Sequence, residues 1–123
     1  MASEGGQETA TGVDPAALLR LRSALREQGD AVVAQLIGLF IEEATKRLAT
    51  IDDGMRADDA PAVQLCAHAL RGSAELLGAR RLGHLSERLE RAAGEGQLGA
   101  ASGLLADLHE EYERVERQLK ESA

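Results

Sequence analysis

The residues best suited to chemistry lie together on one predicted helix, in the segment His68-Ala69-Leu70-Arg71-Gly72. A neutral imidazole has one ring nitrogen with a free lone pair, and that nitrogen is a nucleophile. Arg71 follows three residues later and therefore neighbours His68 on a helix surface, where its guanidinium is able to bind an anion attached to the ring. The pattern predicts His68 as an acceptor of an anionic group such as phosphate, with Arg71 as its electrostatic support.

Gly72 departs from the preferences of the helix that contains it. A glycine inside a helix costs about 1 kcal/mol relative to alanine, and an exposed face does not need it for packing. Four residues after His68, it would leave the surface beside the ring clear for the active site of a second protein. Close packing of two helices is the alternative reason for such a glycine, but the predicted outward face of Gly72 argues against it.

Helical periodicity at about 100° per residue divides this segment into three sides. The side predicted to face the core holds Val63, Ala67, Leu70, Ala74 and Leu77. The opposite, solvent-facing side holds Gln64, His68, Arg71, Gly72 and Glu75. A third side, at the margin of the core, holds Leu65, Ala69 and Leu76. We expect Gln64, Leu65, Ala69, Glu75 and Leu76 to contribute to binding a partner.

The rest of the chain is predicted to be all-α, an antiparallel four-helix up-down bundle with an accessory N-terminal helix. Residues 1–12 are polar and lack a periodic apolar face, so we expect a flexible tail followed by one domain over residues 13–123. The accessory helix is predicted from Asp14-Pro15 to about Gln28. The four longer helices are predicted over residues 30–55, 61–77, 82–94 and 98–120.

Composition narrows the possible partners. The formal charge of −7, from 21 acidic and 14 basic residues, would repel a nucleic acid backbone. Apolar runs are too short to cross a bilayer, and no signal peptide precedes the predicted domain, so we expect a cytoplasmic protein. One cysteine allows no internal disulfide. We expect a monomer that binds neither nucleic acid nor membrane.

The segment from His68 to Ala79 resembles the signature of histidine-containing phosphotransfer (HPt) domains, H-x-L-K-G-S with a following L-G-A. The resemblance extends to Leu36–Leu48, which is similar to the second helix of that family, and to Leu82–Glu90, which is similar to the fourth. Gly72 and Ser73 match the signature directly, whereas Arg71 replaces the common lysine. A planar guanidinium keeps the positive charge of lysine but not its shape, so the rate of transfer or the choice of partner is expected to differ.

The resemblance implies a phosphorelay carrier. His68 would accept a phosphoryl group, through Nε2, from the aspartate of one receiver domain or from a kinase, and pass it to another receiver domain in two-component signalling. A small apolar patch beside the histidine would receive a helix of the receiver. The resemblance further implies that the chain is not an enzyme in its own right and binds no cofactor, because the magnesium ion belongs to the acidic pocket of the receiver.

Two other functions stay open at this point. The chain could be a helical adaptor that binds receiver domains without transferring phosphate, or the phospho-acceptor domain of a larger histidine kinase. A start at Met1 and the lack of a following kinase domain favour a free-standing carrier. A hydrolase or metalloenzyme is disfavoured, because the sequence contains no catalytic triad order, metal-ligand cluster or glycine-rich phosphate loop. Helical spacing assigns Leu36, Phe40 and Ile41 to the core rather than to a docking surface.

Overall fold

The computed structural model describes residues 10–25 and 29–122, and they form helices joined by short turns. The helices are α1 (Pro15–Ala24), α2 (Gly29–Ala57), α3 (Ala60–Leu76), α4 (Arg80–Gly94) and α5 (Ser102–Ser122), with a single 3-10 turn at Gly99–Ala101 before α5. No strand occurs within these residues. The prediction of an all-helical chain is therefore confirmed for the part that the structure describes.

One hydrophobic core is shared by all five helices. α3 packs against α2 and α4, α5 packs against α4 and α2, and α1 lies on α2. The largest side chains that are fully buried are aliphatic and come from the four longer helices; they include Ile37, Ile51, Leu70, Leu82, Leu108 and Leu119. On α3, the residues predicted to face the core are all buried.

Local capping explains where the helix with the candidate residues begins and ends. Asp59 Oδ1 accepts a hydrogen bond from the Ala62 N–H at 3.2 Å, and Pro61 occupies the first turn, where a missing N–H costs nothing. At the other end, Gly78 adopts a φ of +71°, and the Ala79 N–H donates to the Ala74 carbonyl at 2.8 Å. A left-handed glycine of this kind stops α3 and turns the chain directly into α4.

Two helix ends differ from the prediction by about four residues, and the other ends differ by two residues or fewer. The first helix ends at Ala24, earlier than predicted, and residues 26–28 lie outside the described part of the chain. The last helix begins at Ser102 rather than Leu98, because residues 99–101 form the tighter 3-10 turn. Helix ends commonly shift in this way, since their backbone groups are held by fewer hydrogen bonds.

The segment predicted to be a flexible tail, residues 1–12, includes residues that make long-range hydrogen bonds. Residues 1–9 lie outside the described part of the chain, but Ala10 and Gly12 are held by long-range hydrogen bonds. The Ala10 carbonyl accepts from the Arg81 N–H at 3.2 Å, and the Gly12 N–H donates to the buried carboxylate of Glu111 at 2.7 Å. Ala10 and Gly12 take part through their backbone groups, so the pattern of apolar side chains could not predict these contacts.

Tyr112, on α5, has its hydroxyl group buried between α5 and α2. The hydroxyl donates to the Ile41 carbonyl at 3.2 Å and lies 3.3 Å from Thr45 Oγ1. Burial raises the pKa of the Tyr112 phenol above its ordinary value of 10.0; the hydrogen bond with Thr45 opposes this shift, and the Glu116 carboxylate adds to it. The folded protein therefore favours the neutral phenol.

We expect Tyr112 to titrate above its ordinary pKa in an ultraviolet titration, which is clean because the chain has one tyrosine and no tryptophan. A raised pKa adds stability that is complete below the unfolded value of about 10 and is lost as pH rises through the folded value. The free energy of unfolding in urea should accordingly fall as the pH rises from about 10 to the folded pKa. Tyr112→Phe should abolish this part of the pH dependence, and a midpoint at or below the ordinary value would contradict the burial argument.

Candidate functional site

The candidate site lies where α3 and α4 run side by side, and small buried residues allow the two helices to come close. They are Ala67 and Ala74 of α3, and Gly83, Ser86 and Ala93 of α4. Helix axes approach more closely when the side chains at the contact are small. The polar edges of the two helices are thereby brought within reach of each other, although they are far apart in the sequence.

His68 is exposed, with 59% of its side chain accessible, as the helical periodicity predicts. Its Nδ1 lies 2.8 Å from Glu90 Oε2, a carboxylate oxygen of α4. An ionised carboxylate only accepts hydrogen bonds, so the proton of this bond belongs to Nδ1. In the neutral ring, Nε2 then carries the lone pair, and the ring is oriented by the bond on its other side.

Arg71 reaches the same nitrogen but does not compete for it. One of its terminal nitrogens lies 3.4 Å from His68 Nδ1, longer than the bond to Glu90. Because Nδ1 already donates its proton, it has no lone pair for the guanidinium. Arg71 is instead paired with the carboxylates of Glu87 and Glu90, each at 3.7 Å. Its positive charge stays beside the ring, and 29% of its side chain is accessible.

Gly72 lies on open surface. Among the residues that the structure describes, a Cβ atom added to Gly72 would meet no atom within 4 Å beyond its own helix, so the glycine is not required for packing against them. Close helix packing therefore does not explain the glycine, and clearance beside His68 is the remaining interpretation. The part that Gly72 takes in function stays a prediction.

An apolar groove between α2 and α3 lies on the same side of the molecule as Gly72. It is lined by Leu21, Leu36, Leu39, Phe40, Ser73, Leu76 and Leu77, and by the charged residues Glu43 and Arg47. We call it the α2–α3 groove. Leu76 is eight residues after His68, about 12 Å along the helix axis, and Gly72 lies between them. A protein that reached His68 over Gly72 would also cover the groove.

The residues predicted to bind a partner differ in how exposed they are. Leu65 and Leu76 are strongly exposed, at 71% and 70%, which is unusual for leucine and fits a contact surface. Ala69 is half-buried, and Glu75 is exposed. Gln64 is exposed but leans on α4, where its amide occupies the space that a Cβ on Gly94 would need. Their roles in binding stay predictions.

Leu36 was assigned wrongly to the core. It is 40% exposed and lines the α2–α3 groove, whereas Phe40 is buried as predicted, and Ile41 is half-buried and packs against the core. Helical spacing places all three near one face of α2, but this apolar face is wider than the part of it that α3 covers. Exposed Leu39, which the sequence analysis did not single out, lies beside Leu36 for the same reason.

Two carboxylates of α4, Glu87 and Glu90, belong to the site but were not predicted from the sequence. On a helix with a clear apolar face, carboxylates at the edge are usually solvated, and nothing local distinguishes these two. The available signal was their spacing of three residues, which puts both on one edge of α4. Deciding which edge faces His68 requires the packing of α3 on α4.

Within residues 10–25 and 29–122, no three histidine, cysteine, aspartate or glutamate side chains converge as a metal site would require. None of the helices in the same part of the chain is long and apolar enough to span a bilayer.

A family model described as the Hpt domain matches residues 35–118 of the 123. Among solved structures, the crystal structure of histidine-containing phosphotransfer protein B from Pseudomonas aeruginosa PAO1 is similar, with a TM-score of 0.83 and 25% sequence identity. That alignment covers 92% of this chain and 95% of the other. No curated protein matches the sequence significantly.

The hydrogen bond to Glu90 should fix the tautomer of the His68 ring. Long-range proton–nitrogen NMR spectra at a pH where the ring is neutral should show Nδ1 as the protonated nitrogen. Glu90→Ala removes the acceptor, so the fraction of this tautomer should fall. Glu113→Ala, which changes an exposed carboxylate of α5, should leave the tautomer unchanged. The same tautomer ratio in wild type and Glu90→Ala would show that Glu90 does not orient the ring.

Proposed function

The chain belongs to the Hpt domain family, and we propose that it is a phosphorelay carrier in two-component signalling. His68 would accept a phosphoryl group from the aspartyl phosphate of one receiver domain and pass it to the aspartate of another. The observation that supports this most directly is the exposed His68 ring whose Nδ1 donates to Glu90, since Nε2 is then left as the nucleophile. Members of this family act as phosphate carriers rather than as stand-alone catalysts.

The transfer step follows from this geometry. The Nε2 lone pair attacks phosphorus, a nitrogen–phosphorus bond forms, and the bond from phosphorus to the aspartyl oxygen breaks, so that the receiver leaves with a carboxylate. The Nδ1 proton stays on the ring, where Glu90 balances the positive charge that develops as Nε2 bonds to phosphorus. Onward transfer reverses these steps with a second receiver. Arg71 would stabilise the phosphoryl oxygens, and the magnesium ion would be held by the receiver.

A receiver domain also fits the surface around His68. Gly72 leaves room for the rim of the receiver's active site, and Leu65, Leu76 and the α2–α3 groove offer apolar area for the contact. Apolar area of this kind at the centre of a contact supplies much of the binding free energy. We propose that Gln64, Ala69 and Glu75 lie at the edge of this contact.

Several finer features belong to the same proposal. We propose that α2 to α5 form an antiparallel up-down four-helix bundle with α1 as the accessory helix. We further propose that the chain works as a monomer in the cytoplasm and needs no cofactor of its own. The short turns between helices that pack on each other support the arrangement of the bundle.

The first experiment uses a radiolabelled phospho-receiver from the same organism, incubated with wild type, His68→Gln and His84→Gln. Wild type and His84→Gln should take up label that is labile in acid and stable in alkali, as expected for phosphohistidine, and His68→Gln should take up none. His68→Gln should also keep its free energy of unfolding within about 0.5 kcal/mol, because the ring is exposed. Binding of receivers without any label would favour the non-transferring adaptor instead.

A second prediction concerns Gly72. Gly72→Gln should stabilise the helix by about 0.5–1 kcal/mol, yet slow transfer about tenfold if the side chain costs ~1.4 kcal/mol of docking free energy. The rate is measured by quenched-flow transfer from the phospho-receiver, and stability by urea unfolding. Gly103→Gln is the matched control, since Gly103 is equally open but lies on α5. Equal rates for Gly72→Gln and the control would show that the partner does not approach over Gly72.

A further inference from the structure

Arg71 is shared between two carboxylates of α4 rather than held ready for an anion. Its guanidinium lies 3.7 Å from Glu87 Oε2 and 3.7 Å from Glu90 Oε1. Glu90 also accepts the His68 proton with its other oxygen, so its position is tied to the ring. Glu87 has no contact with the ring among the described hydrogen bonds, and its described ion pairs are with Arg71 and Arg91. Glu87 is therefore placed to act on His68 only through Arg71.

The pairing of Arg71 is incomplete. Arg71 Nε and Glu90 Oε1 are both buried and make no hydrogen bond with any of the described residues, although they face each other at 3.7 Å. Buried polar atoms without a hydrogen bond are costly, so this arrangement is less stable than a well-formed bidentate pair would be. An arginine held in this way is able to leave its carboxylates when a stronger acceptor arrives.

We propose that Glu87 is a positioning residue that competes with the phosphoryl group for Arg71 and so limits how strongly phosphate is retained on His68. The inference rests on the proposed function. A phosphoryl group on the ring carries about two negative charges and would draw the guanidinium towards it. Glu87 holds the same guanidinium by charge, at a site that is 41% accessible. Retention on His68 is thereby weakened, which favours transfer to the next receiver.

The test is the equilibrium between phosphohistidine on this chain and phosphoaspartate on a receiver, measured from acid-labile and alkali-stable label. Removing the competing charge in Glu87→Gln should shift the equilibrium about two- to fivefold towards phosphohistidine, the range expected for an exposed ion pair. Raised salt should reduce the shift, because it screens such pairs. Glu113→Gln, which removes the same charge from an exposed position of α5, should have no such effect.

The dependence on Arg71 is tested in a double-mutant cycle. In an Arg71→Gln background, Glu87→Gln should shift the equilibrium no more than Glu113→Gln does, because the group through which Glu87 acts is gone. The hydrolysis rate of each purified phosphoprotein gives an independent measure of retention: Glu87→Gln should slow hydrolysis only when Arg71 is present.

Two results would overturn this inference but leave the proposed function intact. One is an equal shift from Glu87→Gln and Glu113→Gln, which would indicate a general charge effect. The other is the same shift from Glu87→Gln with and without Arg71. A wild-type chain that binds receivers but never takes up label is a different result, since it overturns the proposed function and this inference with it.

Discussion

The hydrogen bond from His68 Nδ1 to Glu90 Oε2 spans two helices, so it exists only while α3 and α4 keep a close and fixed spacing. Small residues at the contact set the spacing, and the buried Leu70 and Leu82 prevent either helix from rotating about its axis. The orientation of an exposed ring thus depends on buried packing beneath it. A change of one helix's rotation would leave His68 exposed but without its orienting partner.

The same spacing is fixed at one end by the turn between α3 and α4. Gly78 takes a left-handed conformation there, and a Cβ at this position would collide with Ala17 and Asp14. The Asp14 N–H donates to the Gly78 carbonyl at 3.0 Å, so the segment before α1 lies directly on the turn. Gly12 is in turn held by Glu111 of α5. The N-terminal segment therefore ties the α3–α4 turn to the last helix.

The sequence predicted those features that depend on one helix at a time. The start of the first helix at Asp14, the all-helical content and the exposure of His68 follow from residue types and from helical period, and the structure agrees for the described residues. Features that depend on how two elements meet were not predicted. Glu90 is 22 residues from His68, and no local pattern relates them. Leu36 was misjudged because periodicity identifies an apolar face but not how much of it a neighbour covers.

For the proposed function, the net charge of the chain does not help to attract its partner. The formal charge of −7 faces a receiver whose phosphate pocket is itself acidic, so long-range electrostatics would oppose the encounter. The free energy of association must then come from short-range contacts, and exposed leucines are able to supply it: Leu65 and Leu76 on α3, and Leu39 in the α2–α3 groove. Apolar contacts of small area give weak and short-lived complexes. A carrier that must leave one receiver before it meets the next benefits from binding of this kind, because rapid release keeps the exposed histidine available.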